Sequence, residues 1–309
     1  MTGVPLDPIT SAPWVRACRA STFPKSWRLG RRDVLAGVAG SLLPVAAISA
    51  RPPDALAALE RASGGRLGMH ALDTGTGRSL GHRADEHFLM CSTFKLLLAA
   101  AVLARVEAGR EKLDRHVPYT VSDLLEYAPV SRAHLAEGGL TIGAMCRAAV
   151  EVSDNTAANL LLASIGGPAA VTRFARDLGD GVTRLDRIEP ALNDPDGVFD
   201  TTTPSAMAGS VRAILLGPAL APASRAMLEG WMVACATGRN RLRAGLPATW
   251  SAGDKTGTGD TQTDDLAIIR PPGRAPLIVA AYYEGGPTVT EAREAVLRQV
   301  GSIVARWAA

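Results

Sequence analysis

Ser92 and Lys95 stand three residues apart in Ser92-Thr93-Phe94-Lys95. On a helix that spacing puts both side chains on one face, one turn apart. A serine hydroxyl is a weak nucleophile until a base takes its proton. A lysine serves as that base only where burial or nearby positive charge lowers its pKa. Alone the pair says little: with 17 Ser and 4 Lys in 309 residues, about 0.2 such pairs arise by chance, so a match needs context. A solvated lysine near a helix start fits it equally. Composition adds some context. The chain has 29 Arg against 4 Lys, and Lys95 and Lys255 are two of the four. Arginine cannot surrender its proton, so lysine at these places suits chemistry, although compositional bias alone also produces such counts.

Three further segments carry polar groups of catalytic type. Ser153-Asp154-Asn155 precedes an apolar helical run; taken alone, a helix cap with Asp or Ser as N-cap is the simpler account. Lys255-Thr256-Gly257 lies on a strand-like segment and is followed by Thr258 and Gly259. A glycine there lets another group approach the strand backbone closely. A phosphate loop is excluded, because Lys-Thr precedes the glycines instead of following a Gly-x-x-x-x-Gly run. Glu189-Pro190-Ala191-Leu192-Asn193 opens a stretch rich in Pro, Asp and Gly that runs to Pro204. A loop that long in a compact domain is often functional, though Glu189 alone reads as an exposed carboxylate. Asp73-Thr74-Gly75 has no second carboxylate in a matching loop and reads as a hairpin turn.

The elements that must hold these residues follow from periodicity. Asp54 to Ala62 is expected to be a short helix, closed by Gly64-Gly65. Arg66 to Asp73 and Ser79 to His82 read as a strand pair. From Thr93 to about Arg239 the pattern is mostly helical, with Leu96, Leu97, Ala100, Leu103 and Ala104 at helix spacing, and Thr156 to Ser164 as a second such run. Trp250 to Thr258, Leu266 to Arg270 and Leu277 to Tyr283 read as strands, and Glu291 to Trp307 as a closing helix. Strands at both ends with helices between imply an α/β (α+β) two-lobed fold: one antiparallel sheet from both termini with flanking helices, and an inserted all-helical lobe.

Ser-x-x-Lys, Ser-Asp-Asn, a loop Glu and Lys-Thr-Gly, in this order, form the signature set of active-site serine β-lactamases. The sequence resembles the class A β-lactamase family from about Asp54 to Trp307. Ser153 to Leu161 is similar to a family helix, and Asp200-Thr201-Thr202-Thr203-Pro204 to the end of its Ω-loop. The resemblance implies that Ser92 attacks the lactam carbonyl of penicillins and cephalosporins and is acylated. It places the oxyanion hole at the backbone N–H groups of Ser92 and Thr258. Lys95 would activate Ser92, directly or with Glu189 through a water. Ser153 would pass a proton to the leaving nitrogen, and Asn155 would orient Lys95 and bind the substrate amide. Glu189, aided by Asn193, would activate the water that hydrolyses the acyl-enzyme. Lys255, Thr256, Gly257 and Thr258 would line the seat of the substrate carboxylate, with Arg241 supporting it and Tyr127 as an aromatic wall. Arg187 and Asp200 would form the ion pair that closes the Ω-loop. No cofactor and no metal is implied.

The chain departs from the family at three places. From Asn193 to Asp200 the loop is two residues shorter than the common form. Cys91 precedes the nucleophile as in carbapenem-hydrolysing members, but its usual partner position is Gly259, so the resemblance does not extend to that subgroup. Cys146 occupies one half of another family disulfide whose partner position reads Ala99.

Residues 1–50 are expected to be an export signal of twin-arginine type with an extension, and 51–309 a single catalytic domain. Its α/β lobe would span about 51–88 and 240–309, and its helical lobe about 89–239. Arg31-Arg32 precedes the uncharged run Val34 to Ala50, which ends in small residues and is short for a membrane span. A periplasmic or secreted product follows, expected to be a monomer without a membrane anchor after signal removal. Residues 1–50 carry a net +4 and the rest −1, so nothing in the charge points to nucleic acid. The five His fall into no metal-ligand spacing. A D,D-peptidase would share Ser92 and Lys95 but lack the loop glutamate. A β-lactam sensor that stays acylated usually belongs to a membrane-tethered chain.

Overall fold

The structure is a computed structural model that describes residues 51–309. The arginine pair and apolar run of the expected export signal lie outside the described residues. The first helix, α1 (Pro52–Ser63), leads into β1 (Gly65–Asp73) and β2 (Ser79–His82). A short β3 (Phe88–Leu89) and a 3-10 turn (Cys91–Thr93) run into α2 (Phe94–Glu107). Then come β4 (His116–Pro118), α3 (Pro129–Ala133), β5 (Gly139–Thr141), α4 (Ile142–Glu151), α5 (Asn155–Ile165) and α6 (Pro168–Asp177). After the loop of Glu189 the chain forms β6 (Thr201–Thr202), α7 (Pro204–Leu216), α8 (Pro222–Val233), β7 (Ser251–Thr258), β8 (Gln262–Arg270), β9 (Leu277–Gly285) and α9 (Thr290–Ala308).

The large sheet has the order β2-β1-β9-β8-β7 and is antiparallel throughout. It draws strands from both ends of the described chain, as the periodicity implied. Both of its faces are covered. Ile278, Ala280 and Tyr282 of β9 point into a core shared with the helices, while Leu277, Val279, Ala281 and Tyr283 point to one built with α1 and α9. This alternation is the two-residue period of a strand, and burial on both sides explains why β9 reads as an unbroken apolar run. β8 begins earlier than its apolar stretch suggests. Gln262, Thr263, Asp264 and Asp265 are buried in its first half, where polar residues mask the strand from a hydropathy reading. The short β4, β5 and β6 fall in the segment read as helical; two or three residues are too few to display a period.

The helical core is organised by α2. Every residue from Phe94 to Leu103 is buried, so the helix is apolar all round, as a central core helix should be. Its one charged buried member is Lys95, fixed in the first turn beneath the nucleophile.

Asp154 accounts for the local fold before α5. Its side chain caps the helix by accepting from Ala157 N at 2.9 Å. It also accepts from the backbone N–H groups of Val130 and Ser131 and from Ser131 Oγ, all within 2.9 Å. The carboxyl is wholly buried and ties the turn of α3 to α5. Ser153 before it has φ 61°, a left-handed conformation that costs a non-glycine residue about 1–2 kcal/mol. The four bonds to Asp154 offset that. Each buried donor left without an acceptor costs about 1–3 kcal/mol, so Asp154→Ala is expected to lower the unfolding free energy by at least ~3 kcal/mol, read by urea denaturation. A change below about 0.5 kcal/mol would remove Asp154 from this role.

Candidate active site

Four segments meet in one cleft of about 420 Å³ whose lining includes Ser92, Tyr127, Ser153, Asn155, Glu189, Asn193, Arg241, Thr256 and Thr258. Ser92 comes from the turn before α2, Ser153 and Asn155 from the start of α5, Glu189 and Asn193 from the long loop, and the threonines from β7. Lys95 and Lys255 lie beneath, fully buried. Gly257 of β7 lies between Asp264 of β8 and the turn that carries Ser92. A Cβ on it would come within 2.8 Å of Met90 O and 2.7 Å of an Asp264 carboxyl oxygen. Glycine is thus required for β7 to run this close to the turn that carries Ser92.

Lys95 Nζ is the hub. It donates to Ser92 Oγ at 2.9 Å, to Ser153 O at 2.9 Å, to Ser153 Oγ at 3.3 Å and to Asn155 Oδ1. It also pairs with Glu189 Oε1 at 2.9 Å. Ser92 Oγ donates to the same Glu189 oxygen at 3.1 Å. Burial pulls the Lys95 ammonium below its ordinary pKa, against the pull of the Glu189 carboxylate. Burial by itself would raise Glu189; the Lys95 charge, with hydrogen bonds from Lys95, Asn193 and Ser92, outweighs it and holds the carboxyl below the usual range. The serine proton therefore has one acceptor in reach, Glu189 Oε1; Lys95 can take it only after passing its own proton to Glu189, and either route leaves it within the same lysine–carboxylate pair.

Ser153 Oγ stands between the two lysines, 3.3 Å from Lys95 Nζ and 3.1 Å from Lys255 Nζ. Both ammonium groups donate to it, which leaves its own proton free to be given away and its oxygen stabilised once that proton has gone. Burial and the neighbouring Lys95 charge bring Lys255 down to about 7.

Arg241 is buried and donates to Gly257 O at 2.7 Å, Asp264 O at 2.8 Å and Thr258 Oγ1 at 2.7 Å, with Glu294 Oε1 at 3.2 Å. Because Thr258 Oγ1 accepts from Arg241, its hydroxyl proton is free to point into the cleft. Thr256 Oγ1 shares a hydrogen bond of 2.6 Å with Thr237 Oγ1. Tyr127 is half exposed at the cleft wall, and its carbonyl accepts from Asn155 N at 3.0 Å.

The loop that bears Glu189 is fixed at both ends. Asn159 Nδ2 donates to Glu189 O at 2.9 Å, and Glu189 N donates to Asn159 Oδ1 at 3.0 Å. Arg187 Nε pairs with Asp200 Oδ2 at 2.6 Å, the closure that the resemblance implied. The other Asp200 oxygen accepts from Asp186 N and Arg187 N. Sequence reading assigned no role to Asn159, Thr237 or Glu294. Asn159 had a signal, its spacing of four from Asn155 on the same helix face; Thr237 and Glu294 had none, since only the fold brings them to the cleft. Cys91 has φ 42°, and a Cβ at Gly259 would stand 3.3 Å from its Sγ. The two positions face each other, but glycine cannot close a disulfide, and Cys91, Cys146 and Cys235 are buried free thiols.

A serine hydroxyl set against a buried lysine–carboxylate pair, with a second buried lysine on the strand beside it, is an arrangement able to activate a serine nucleophile. The model of the family described as "Beta-lactamase enzyme family" matches residues 51–308. The chain is 48% identical over 257 residues to "Beta-lactamase L2" of Stenotrophomonas maltophilia, covering 81% of this chain and 84% of that protein. The crystal structure of a beta lactamase from Burkholderia vietnamiensis is 57% identical, with TM-score 0.83, covering 84% of this chain and 97% of that one. The class A β-lactamase of the last common ancestor of Gram-negative bacteria is 54% identical, with TM-score 0.82, covering 84% of this chain and 100% of that one. The chain belongs to the β-lactamase enzyme family, within class A, and is a β-lactam hydrolase.

A Lys255 pKa of about 7 fixes a sign. The ammonium is charged below that value and neutral above it, so attraction for a substrate carboxylate fades as pH rises. KM is expected to rise, and kcat/KM to fall, on the alkaline side with an apparent pKa near 7. Lys255→Arg, which stays charged, should flatten that limb. A KM constant from about pH 6 to about pH 9 would rule it out.

Proposed function

We propose that the protein is exported and opens the ring of penicillins and cephalosporins through an acyl-enzyme on Ser92, which a Glu189-bound water hydrolyses. The observation that carries this reading is the placing of Glu189. Its Oε1 accepts from Ser92 and Lys95, and its Oε2 accepts from Asn193 Nδ2 at 2.7 Å. Asn193 Oδ1 is buried with no partner among the described residues. A buried acceptor of that kind calls for a donor. With Glu189 it makes a pair of acceptors suited to the two protons of a water beside an ester on Ser92.

In this reading Ser92 loses its proton to the Lys95–Glu189 pair as its oxygen attacks the lactam carbonyl. The N–H groups of Ser92 and Thr258 stabilise the oxyanion. Ser153 passes its proton to the ring nitrogen as the C–N bond breaks and is refilled through Lys95 with the proton that Ser92 gave up, so that Glu189 is again a carboxylate. Lys255, Thr256 and Thr258 hold the substrate carboxylate, and Arg241 keeps the Thr258 hydroxyl turned towards it. Asn155 binds the substrate amide. Glu189 then takes a proton from water, whose oxygen attacks the ester carbonyl, and returns that proton to Ser92 Oγ as the C–O bond breaks. The short loop from Asn193 to Asp200 would bear on the fit of bulky substrate side chains.

Intact-protein mass after mixing with benzylpenicillin, followed alongside loss of lactam absorbance, tests this reading. Steady substrate loss with a transient adduct is expected. Ser92→Ala should give neither adduct nor turnover. Glu189→Ala should acylate and stay acylated, with deacylation slowed about 10²–10⁴-fold, the usual worth of a general base. Rapid turnover by that variant would give the water another base. A persistent adduct on the unaltered protein would instead favour a sensor or peptidase.

Export rests on Arg31-Arg32 and the run to Ala50. Replacing both arginines by lysine should leave the activity in the cytoplasm of an expressing bacterium. Unchanged activity outside the cytoplasm would overturn the twin-arginine assignment.

A further inference from the structure

A second cavity of about 420 Å³ opens away from the catalytic cleft, between the C-terminal half of α2 and α6. Its lining combines two chemistries. Ile165, at the end of α5, and Phe174 of α6 give an apolar floor, and the guanidinium-bearing side chains Arg105, Arg110 and Arg173 stand round it. None of these three arginines has a side-chain hydrogen bond or an ion pair among the described residues, whereas Arg66, Arg83, Arg115, Arg147 and Arg187 are all paired with carboxylates. Arg105 Nε is buried without a partner. The neighbouring Glu111 carboxylate is held low first by the Arg115 fork and only then by Arg105, so Arg115 has taken it. Asp177 also lines the cavity and pairs with none of the three. Three positive charges against one negative, over an apolar floor, suit a ligand with one anionic head and a short apolar body.

We propose that this cavity is a non-catalytic binding site for small amphipathic carboxylates. The carboxylate accepts hydrogen bonds from Arg105 and Arg173, which can each engage it by two parallel N–H groups, and the apolar body packs on Ile165 and Phe174. Arg105 is ten residues beyond Lys95 on the same helix, about 15 Å at 1.5 Å per residue. A ligand here therefore does not occupy the cleft of Ser92.

The probe is 4-phenylbutyrate, titrated calorimetrically into the purified protein. Saturable one-to-one binding with a Kd below about 1 mM is expected for a ligand of this size, weakening as salt is raised. The uncharged analogue 4-phenylbutan-1-ol should bind at least ~10-fold more weakly, as should the acid to the double variant Arg105→Gln/Arg173→Gln. Arg173 is exposed, so Arg173→Gln alone should keep the fold and still weaken the acid by at least ~3-fold. At saturation the acid should leave KM for benzylpenicillin unchanged. The site is overturned by no saturation up to about 10 mM, by equal binding of the alcohol, or by variants that bind as the parent does. It is equally overturned by a KM that rises with the acid, which would put the carboxylate in the catalytic cleft. The calorimetry does not depend on turnover, so it stands or falls apart from the catalytic reading.

Discussion

Everything in the cleft depends on keeping a lysine and a glutamate charged out of water. Lys95 and Glu189 meet at 2.9 Å with side chains 0% and 1% exposed. Taking an ion out of water costs several kcal/mol even after relaxation, and the attraction between partners offsets this only where further hydrogen bonds satisfy both. Here they come from three separate pieces of chain: Ser92 before α2, Ser153 and Asn155 at the start of α5, and Asn193 on the loop. None of these pieces can move without leaving a buried charge unsatisfied. The ion pair is the reason that the loop, the helix start and the nucleophile turn must be fixed together.

That demand explains the unusual backbone near it. Cys91 and Ser153 are both left-handed without being glycine, and Asp200 at the loop's far end is a third. Such conformations persist where the surroundings over-determine them. Ser153 is held by the four bonds to Asp154 next to it, and Asp200 by Arg187 and two backbone N–H groups. The structural and chemical readings of Ser153-Asp154-Asn155 are therefore not alternatives. Asp154 is the helix cap that the sequence suggested, and its capping is what turns Ser153 and Asn155 into the cleft.

This also shows what one sequence could and could not disclose. The four polar clusters were legible because their spacing is local, and the sheet was legible where its apolar run is long, as in β9. The first half of β8 was hidden because polar residues are buried there, Asp265 as the acceptor of Leu242 N and the Asp264 carbonyl as an acceptor of Arg241, contacts made across more than twenty residues. Thr237 and Glu294 were hidden for the same reason. Their meaning lies in what they touch on β7 and Arg241, and nothing in their own neighbourhood records it. Arg241 itself was placed by resemblance. The geometry adds that its guanidinium is largely occupied by backbone carbonyls, so it acts on the cleft chiefly through the Thr258 hydroxyl.

The imbalance between arginine and lysine acquires a physical meaning at this level. Among the described residues, every ion pair not made by histidine uses arginine, with the single exception of Lys95–Glu189. Arginine suits those places because its charge is permanent and its fork geometry is rigid. The same permanence would bar position 95 from the proton transfer proposed for it. Lys255 makes no ion pair among the described residues. It is buried beside Lys95 and brought down to about 7, so below that pH it holds a charge that no carboxylate among the described residues neutralises. Two lysines of opposite circumstance, one neutralised internally and one not, suit the two tasks proposed for them, activating the serine and recognising the substrate. Arginine at position 95 could not serve the first of those tasks, because it does not give up its proton.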